Sequence, residues 1–370
     1  MVKNRVMNVL VVGAGAIGGY VGAKMALAGH EVTLVGRQPL VDAVAARGLR
    51  LIEPGEEREI RDCRAVASAK EAFQASRRYD LALFTVKTYD TQSAIDALRP
   101  CAQNVDRFLS LQNGVSGEEL LAQAFGSEKV IAGTILNPVS IREPGIVVLE
   151  KQRGGIGIAS LRIGESASQP TSQLADQLRQ AGFRTRVYAD YRAMKWSKLL
   201  LNLIGNATAA ILDLNTMEIF RDRRLFAIEI AALREAMRVA RAQGIRFVNL
   251  PGYPVSLFAA AVRTLPLSLL QPALIPLVAK GRGSKMPSLH IDLWCGKRRS
   301  EIDELNGAVI RIGAQLKVPT PANTLLVTIF KDLQSGSSTE RSEWRRRADR
   351  LWAMYSKMVS ETGLSRLGWR

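Results

Sequence analysis

The stretch Gly13-Ala14-Gly15-Ala16-Ile17-Gly18 limits what this chain can fold into more than any other feature. It follows the apolar run Val9–Val12 and opens a helix-patterned segment, Ile17–Leu27, that Gly29 terminates. A second strand-like run, Glu31–Val35, comes directly behind. Alone, G-x-G-x-x-G marks many ordinary turns. Placed between a buried strand and a helix it marks a βαβ unit that holds a dinucleotide. Gly13 then permits the tight turn, Gly15 lets the backbone approach a pyrophosphate, and Gly18 lets helix and strand pack closely. Ala16 and Ile17 open the helix, where free N–H groups and the positive dipole end meet the phosphates.

The end of the second strand separates the two nicotinamide cofactors. NAD-binding chains usually place an acidic residue there for the ribose 2′-hydroxyl. Here the sequence reads Val35-Gly36-Arg37-Gln38, and Glu31 lies at the wrong end of the strand. Arg37 suits a 2′-phosphate, which a carboxylate would repel, so NADP (as NADPH) is the expected cofactor.

Further apolar runs at Leu81–Val86, Phe108–Leu111 and Val130–Ile135 continue the strand and helix alternation, which argues for a parallel sheet covered on both faces. From about Tyr191 long helical patterns take over: Met194–Ala210, Leu225–Gln243, Ser288–Leu316 and Glu340–Val359. The expected architecture is an α/β doubly wound Rossmann-type domain over residues 1–190 and an all-α domain over 191–335. A basic extension, 336–370, follows. The apolar, proline-bearing stretch Pro251–Lys280 reads as a buried helical hairpin or a lid. Its five prolines and Arg263 speak against a membrane span.

With 370 residues the chain has room for two cores. Its net charge of +17 raises the question of nucleic acid, and part of the excess lies in the tail with Arg345-Arg346-Arg347. No nucleic-acid-binding motif accompanies it, so a solvated basic surface that attracts anions is expected. Cys63, Cys101 and Cys295 are far apart and form no C-x-x-C pair, which fits a reducing cytoplasm and argues against a zinc site. The short polar start, Met1 to Arg5, does not read as a signal peptide.

A hydride reductase needs an acid for the developing alkoxide and donors for its substrate. His30 and His290 are the two histidines, and structural roles are expected of both. The segment Trp196–Asn206 is the better candidate. Lys198, Asn202 and Asn206 fall at i, i+4 and i+8, a spacing that puts them on one face of a continuous, largely apolar helix. The spacing alone is equally consistent with a structural lysine and two asparagines bonded to neighbouring helices.

The glycine fingerprint, the Lys198/Asn202/Asn206 set and the later Ser300-Glu301-Ile302-Asp303-Glu304-Leu305-Asn306-Gly307 together resemble the ketopantoate reductase (2-dehydropantoate 2-reductase) family, from about Met7 to Leu333. The resemblance implies a helical second domain like the C-terminal domain of 6-phosphogluconate dehydrogenase. It gives Lys198 the role of general acid, and Asn202 and Asn206 that of substrate ligands. Glu301 orients the substrate, and Ser288, after Pro287, contacts its carboxylate. Lys87 and Asn113, each following a parallel strand, would lie beside cofactor and substrate. Asn215 matches a further family asparagine only with a one-residue offset. The implied reaction is NADPH-dependent reduction of 2-dehydropantoate to pantoate, in pantothenate biosynthesis. The expected partners are a small 2-oxo acid and, as a homodimer, a second copy, with no nucleic acid or membrane. Two other readings stay open: a related NADP-dependent reductase of another 2-oxo acid, and a non-enzymatic NADP-sensing or nucleic-acid-binding protein on the same fold.

Overall fold

Val9, Leu10 and Val11 are fully buried, as a central parallel strand covered on both faces requires. The computed structural model describes residues 5–162, 169–282 and 286–361, the side chains of 279–282 excepted. Twelve strands occur among them: β1 (Asn8–Val12), β2 (Glu31–Val35), β3 (Leu49–Glu53), β4 (Glu56–Ile60), β5 (Cys63–Val66), β6 (Tyr79–Phe84), β7 (Val105–Ser110), β8 (Val130–Ile135), β9 (Val139–Glu143), β10 (Ile146–Leu149), β11 (Ile156–Ser160) and β12 (Thr185–Tyr188). Eight form one sheet in the order β12-β11-β8-β7-β6-β1-β2-β5. Pairing is parallel from β5 through β8, while β11 runs antiparallel to β8. β1 lies beside β2 on one flank and β6 on the other, with Val12 level with Val35 and Phe84. The sheet therefore grows in opposite directions from β1, and the β1/β6 crevice is the switch point where ligands of such sheets bind.

A second sheet, β4-β3-β10-β9, accompanies it. The glycine-rich helix Ala16–Leu27 packs against both sheets: a Cβ added at Gly22 would lie 2.8 Å from Leu34 of β2, and one at Gly19 would lie 2.8 Å from Val147 of β10. This two-sided burial explains why the helix has no polar stripe.

The chain divides into two units, Met1–Lys195 with Asn249–Tyr253, and Trp196–Val248 with Pro254–Arg370. Within the first unit Lys195, 2% exposed, meets Glu118 Oε1 at 2.6 Å and donates to the carbonyls of Gln112 (2.7 Å) and Gly133 (3.3 Å). All three ammonium donors are thus used, tying residues 191–195, the end of this unit, to the segment after β7 and to β8.

The second unit is helical. Its longest helix, Arg223–Ala242, is capped by Asp222 and carries two buried carboxylates on its inner face. Glu229 accepts from the Gly205 amide at 2.7 Å and from the Thr208 hydroxyl. Glu235 accepts from the amides of Ala322 (2.8 Å) and Asn323 (2.9 Å) and from Asn323 Nδ2 (2.7 Å), at the start of the helix Pro321–Ser335. Burial outweighs these donors and pushes the Glu235 carboxyl up to about 7.

Four expectations need correction. The pattern Glu340–Val359 is two helices, Ser338–Glu343 and Ala348–Glu361. The pattern Met194–Ala210 is two helices, Tyr191–Leu203 and Asn206–Leu212, because Gly205 takes a left-handed conformation (φ +58°) between them. The pattern Ser288–Leu316 likewise splits into Ser288–Trp294, a short turn Ile302–Glu304 and Asn306–Gln315. The segment Pro251–Lys280 contributes the helices Val255–Thr264 and Leu267–Arg282, but it is not uniformly buried: Leu257, Leu269 and Leu277 are each at least 60% exposed. No helix among the described residues is long and apolar enough to cross a membrane.

The basic tail is built into this unit as far as residue 361. The Arg346 amide donates to Leu212 O (2.8 Å), Arg345 Nε bonds Asp213 (2.7 Å), and the helix Ala348–Glu361 packs on Arg223–Ala242. Residues 362–370 lie outside the described residues.

Removing one partner of the Lys195–Glu118 pair strands the other charge, so Lys195→Met should cost about 3–5 kcal/mol in urea unfolding. Lys195→Met with Glu118→Leu should recover much of that loss; no recovery would show that the carbonyl bonds matter more than the pair. The raised Glu235 carboxyl means the folded state holds more protons than the unfolded state between pH 4.5 and about 7. Its contribution to stability therefore falls as pH rises through that window and is constant outside it. Glu235→Gln should remove this slope in unfolding curves measured from pH 4 to 8, whatever it does to absolute stability.

Candidate functional site

The turn after β1 is fixed from three sides. The amides of Gly13 and Ala14 both donate to Val35 O at the end of β2 (3.2 and 2.9 Å), and Thr85 Oγ1, just past β6, donates to Gly13 O at 2.8 Å. Gly13 has φ +94°, and a Cβ there would fall 2.5 Å from Val86 Cγ1. A Cβ on Gly18 would fall 2.5 Å from both Gly13 O and Thr85 Oγ1. These two glycines are required by the protein's own packing. Gly15 differs: a Cβ there would meet nothing within 4 Å. Its bareness leaves open space beside the start of the helix Ala16–Leu27, where no side chain caps the first-turn amides of Ala16, Ile17 and Gly18. Uncapped amides, a positive helix end and space for an incoming group fit a dinucleotide pyrophosphate.

Arg37 is exposed at the N-cap of the helix Gln38–Arg47, two residues past β2. Lys87 follows β6 and opens the turn Thr88–Asp90, while Asn113 follows β7. These two loops are tied together: Thr88 Oγ1 donates to Asn113 O (3.0 Å), and Gln112 Nε2 to Val86 O (3.0 Å) and Thr91 Oγ1 (2.7 Å). The first unit thus gathers Gly13, Gly15, Gly18, Lys87 and Asn113 at the carboxyl ends of β1, β6 and β7, with Arg37 past the end of β2.

In the second unit Lys198 and Asn202 are half-buried, one turn apart on the helix Tyr191–Leu203. Asn206 does not continue that face. It is the first residue of the next helix, and its placement depends on the break at Gly205. There it is 4% exposed, and its Oδ1 accepts from the Leu289 amide at 3.1 Å, which orients its NH2 group and joins it to the neighbour of Ser288. Ser288 itself is exposed.

Glu301 is 2% exposed, and it precedes the turn Ile302–Glu304. That turn packs on the helix Pro321–Ser335, which also packs on Asn206–Leu212. Asn215 is an N-cap: its side chain accepts from Glu218 N in a capping box. His290 lies 2.7 Å from Asp213, and His30 Nδ1 accepts from the Met7 amide (3.2 Å), so each histidine has a local partner.

Thr85, Gln112 and Glu229 were not singled out from sequence. Thr85 and Gln112 carry no signal beyond adjacency to strand ends. Glu229 does carry one, since it interrupts the apolar stripe of its helix between Ile228 and Ile230.

Comparison with known proteins agrees with this geometry. The family profile described as "Ketopantoate reductase PanE/ApbA" matches residues 9–162, and its C-terminal counterpart matches residues 190–334. The 2-dehydropantoate 2-reductase of Pyrococcus horikoshii is 29% identical over 329 residues, 89% of this chain and 98% of that protein. That of Archaeoglobus fulgidus is 28% identical, covering 90% and 99%. Among solved structures, a PanE/ApbA family ketopantoate reductase from Ralstonia eutropha superposes with TM-score 0.74 at 30% identity, covering 91% of this chain and all of that one. D-Mandelate dehydrogenase, solved with NADH and anilino(oxo)acetate, shares the fold at 22% identity (TM-score 0.74) over 89% of this chain and 98% of its own. With both halves matched in order along the chain, the protein belongs to the PanE/ApbA family of ketopantoate reductases.

Proposed function

We propose that this enzyme reduces 2-dehydropantoate to pantoate at the expense of NADPH, the reaction named for its relatives. The observation that carries the reading is the pairing of two features: the glycine turn with open space at Gly15, and a half-buried lysine on a helix that breaks to present Asn206. When bound, NADPH supplies a hydride for the C2 carbonyl carbon. The chain must hold the cofactor, orient the oxo acid and deliver a proton.

Ala16, Ile17 and Gly18 offer backbone amides to the pyrophosphate, and Arg37 pairs with the 2′-phosphate. Lys87 and Asn113 complete the cofactor side. Lys198 is the general acid, giving a proton to the substrate oxygen as negative charge develops there. Lys195, on the same helix, is unsuited to that role because Glu118 and two carbonyls occupy its donors. Asn202 and the oriented NH2 of Asn206 donate to substrate oxygens, Ser288 binds its carboxylate, and Glu301 accepts from its hydroxyl. The proposal includes the cytoplasm as compartment, which three free thiols fit, and a homodimeric assembly, which sedimentation equilibrium tests.

Two measurements test the roles. Lys198→Ala should lower turnover of 2-dehydropantoate by roughly 10²–10⁴-fold with little change in NADPH affinity; unchanged turnover would remove the acid assignment. Gly15→Val should leave the melting temperature nearly unchanged yet weaken NADPH binding more than about tenfold, because its side chain fills space the protein does not use. A fall in stability with unchanged binding would place the pyrophosphate elsewhere.

A further inference from the structure

The helical unit contains a cavity of about 970 Å³ that none of the residues assigned to reduction lines. Arg234, Arg238 and Arg241 of the helix Arg223–Ala242 face it, with Arg246 from the segment that follows and Arg263 from the helix Val255–Thr264. Its lining contains no aspartate or glutamate. Five guanidinium groups around one concave space repel one another, and each is a planar fork suited to phosphate oxygens.

The cavity is braced. Arg234 donates through Nε to Val262 O and through Nη2 to Leu265 O, both at 2.9 Å, which fixes the helix Val255–Thr264 against Arg223–Ala242. Arg241, Arg246 and Arg263 are exposed, and among the described residues none of the three has a carboxylate within salt-bridge distance. Elsewhere on this surface arginines commonly do: Arg224 pairs with Asp222, Arg345 with Asp213 and Arg346 with Glu218. Burial also holds the Arg234 and Arg238 guanidinium groups below their ordinary values, a cost that a bound anion would offset.

We propose that this cavity is a second ligand site, which binds a small compound carrying two or more phosphate groups. Its volume lies in the range of small-molecule pockets rather than of flat macromolecular interfaces. A second copy of the chain is a poor occupant, since a molecule of net charge +17 would meet like charge there. A planar lipid surface would not enter a concave space whose charges line its walls.

The test is calorimetric titration of the full chain with inorganic tripolyphosphate, with NADPH present at saturation so that the glycine turn is not the site read. Binding is expected, and Arg241→Gln with Arg263→Gln should weaken it at least about tenfold. Those two positions are exposed and brace nothing, so the variant should melt like the parent and oxidise NADPH with 2-dehydropantoate at the parental rate when no tripolyphosphate is added. The proposal is overturned if tripolyphosphate does not bind, or if it binds the double variant as tightly as the parent. It is also overturned if arginine-dependent retention is seen only on phosphatidylglycerol vesicles, which would make the face a membrane contact.

Discussion

Everything at the cofactor end of this enzyme depends on how closely the backbone after β1 approaches the loop after β6. Thr85 Oγ1 reaches Gly13 O at 2.8 Å, and the space beside that bond is so small that Gly13 and Gly18 cannot carry a Cβ. Two amides of the same turn hang on Val35 O. The turn is therefore held by the three strands that meet at the switch point, before any ligand arrives. Such preorganisation matters because a pyrophosphate must find its amides already aimed. Gly15 is the exception in the motif: a Cβ there would meet nothing within 4 Å, so the protein's own packing does not require its bareness as it does at Gly13 and Gly18.

The helical unit solves a comparable problem with a carboxylate. Breaking the pattern Met194–Ala210 at Gly205 leaves polar backbone to satisfy inside a core, and Glu229 does so by accepting from Gly205 N and the Thr208 hydroxyl. Without the break Asn206 would sit one helical turn beyond Asn202. With it, Asn206 starts a new helix and its side-chain Oδ1 accepts from the Leu289 amide. Glu229 acts through the backbone it holds, and the cost of burying it is offset by those donors.

The glycine fingerprint, the parallel sheet and the helical second half were legible in sequence because each rests on local periodicity. The five strands anticipated are all present, within three residues of their expected ends. The second sheet was not legible. Its strands come from two distant stretches, β3–β4 and β9–β10, and β4 (Glu56–Ile60) is mostly charged, so no apolar alternation announces it. The candidate site divides in the same way. Lys198 and Asn202 follow from helical spacing, since one unbroken turn separates them. Asn206 does not, because a single left-handed glycine resets the phase and spacing arguments hold only within one helix. The burial of Glu301 was not legible either, because it depends on tertiary packing: the turn that follows it packs on the helix Pro321–Ser335.

The high positive charge needs more than one explanation, and the structure separates them. Part of the excess in the tail is internally matched: Arg345 and Arg346 answer Asp213 and Glu218 and pin the last helices to the domain. Arg37 stands exposed at the N-cap of the helix after β2, where the proposed function pairs it with a 2′-phosphate. Arg241, Arg246 and Arg263, at the cavity, belong to neither group. Arg234, Arg238 and Arg241 line the cavity, while Glu229 and Glu235 are buried on the same helix, and Glu235 lies close enough to Arg238 for each to favour the other's charged form. Backbone amides, the Thr208 hydroxyl and the Asn323 side-chain amide satisfy the two carboxylates. With no carboxylate within salt-bridge distance of Arg241, Arg246 or Arg263 among the described residues, the proposed anion would supply the charge that this part of the cavity lacks.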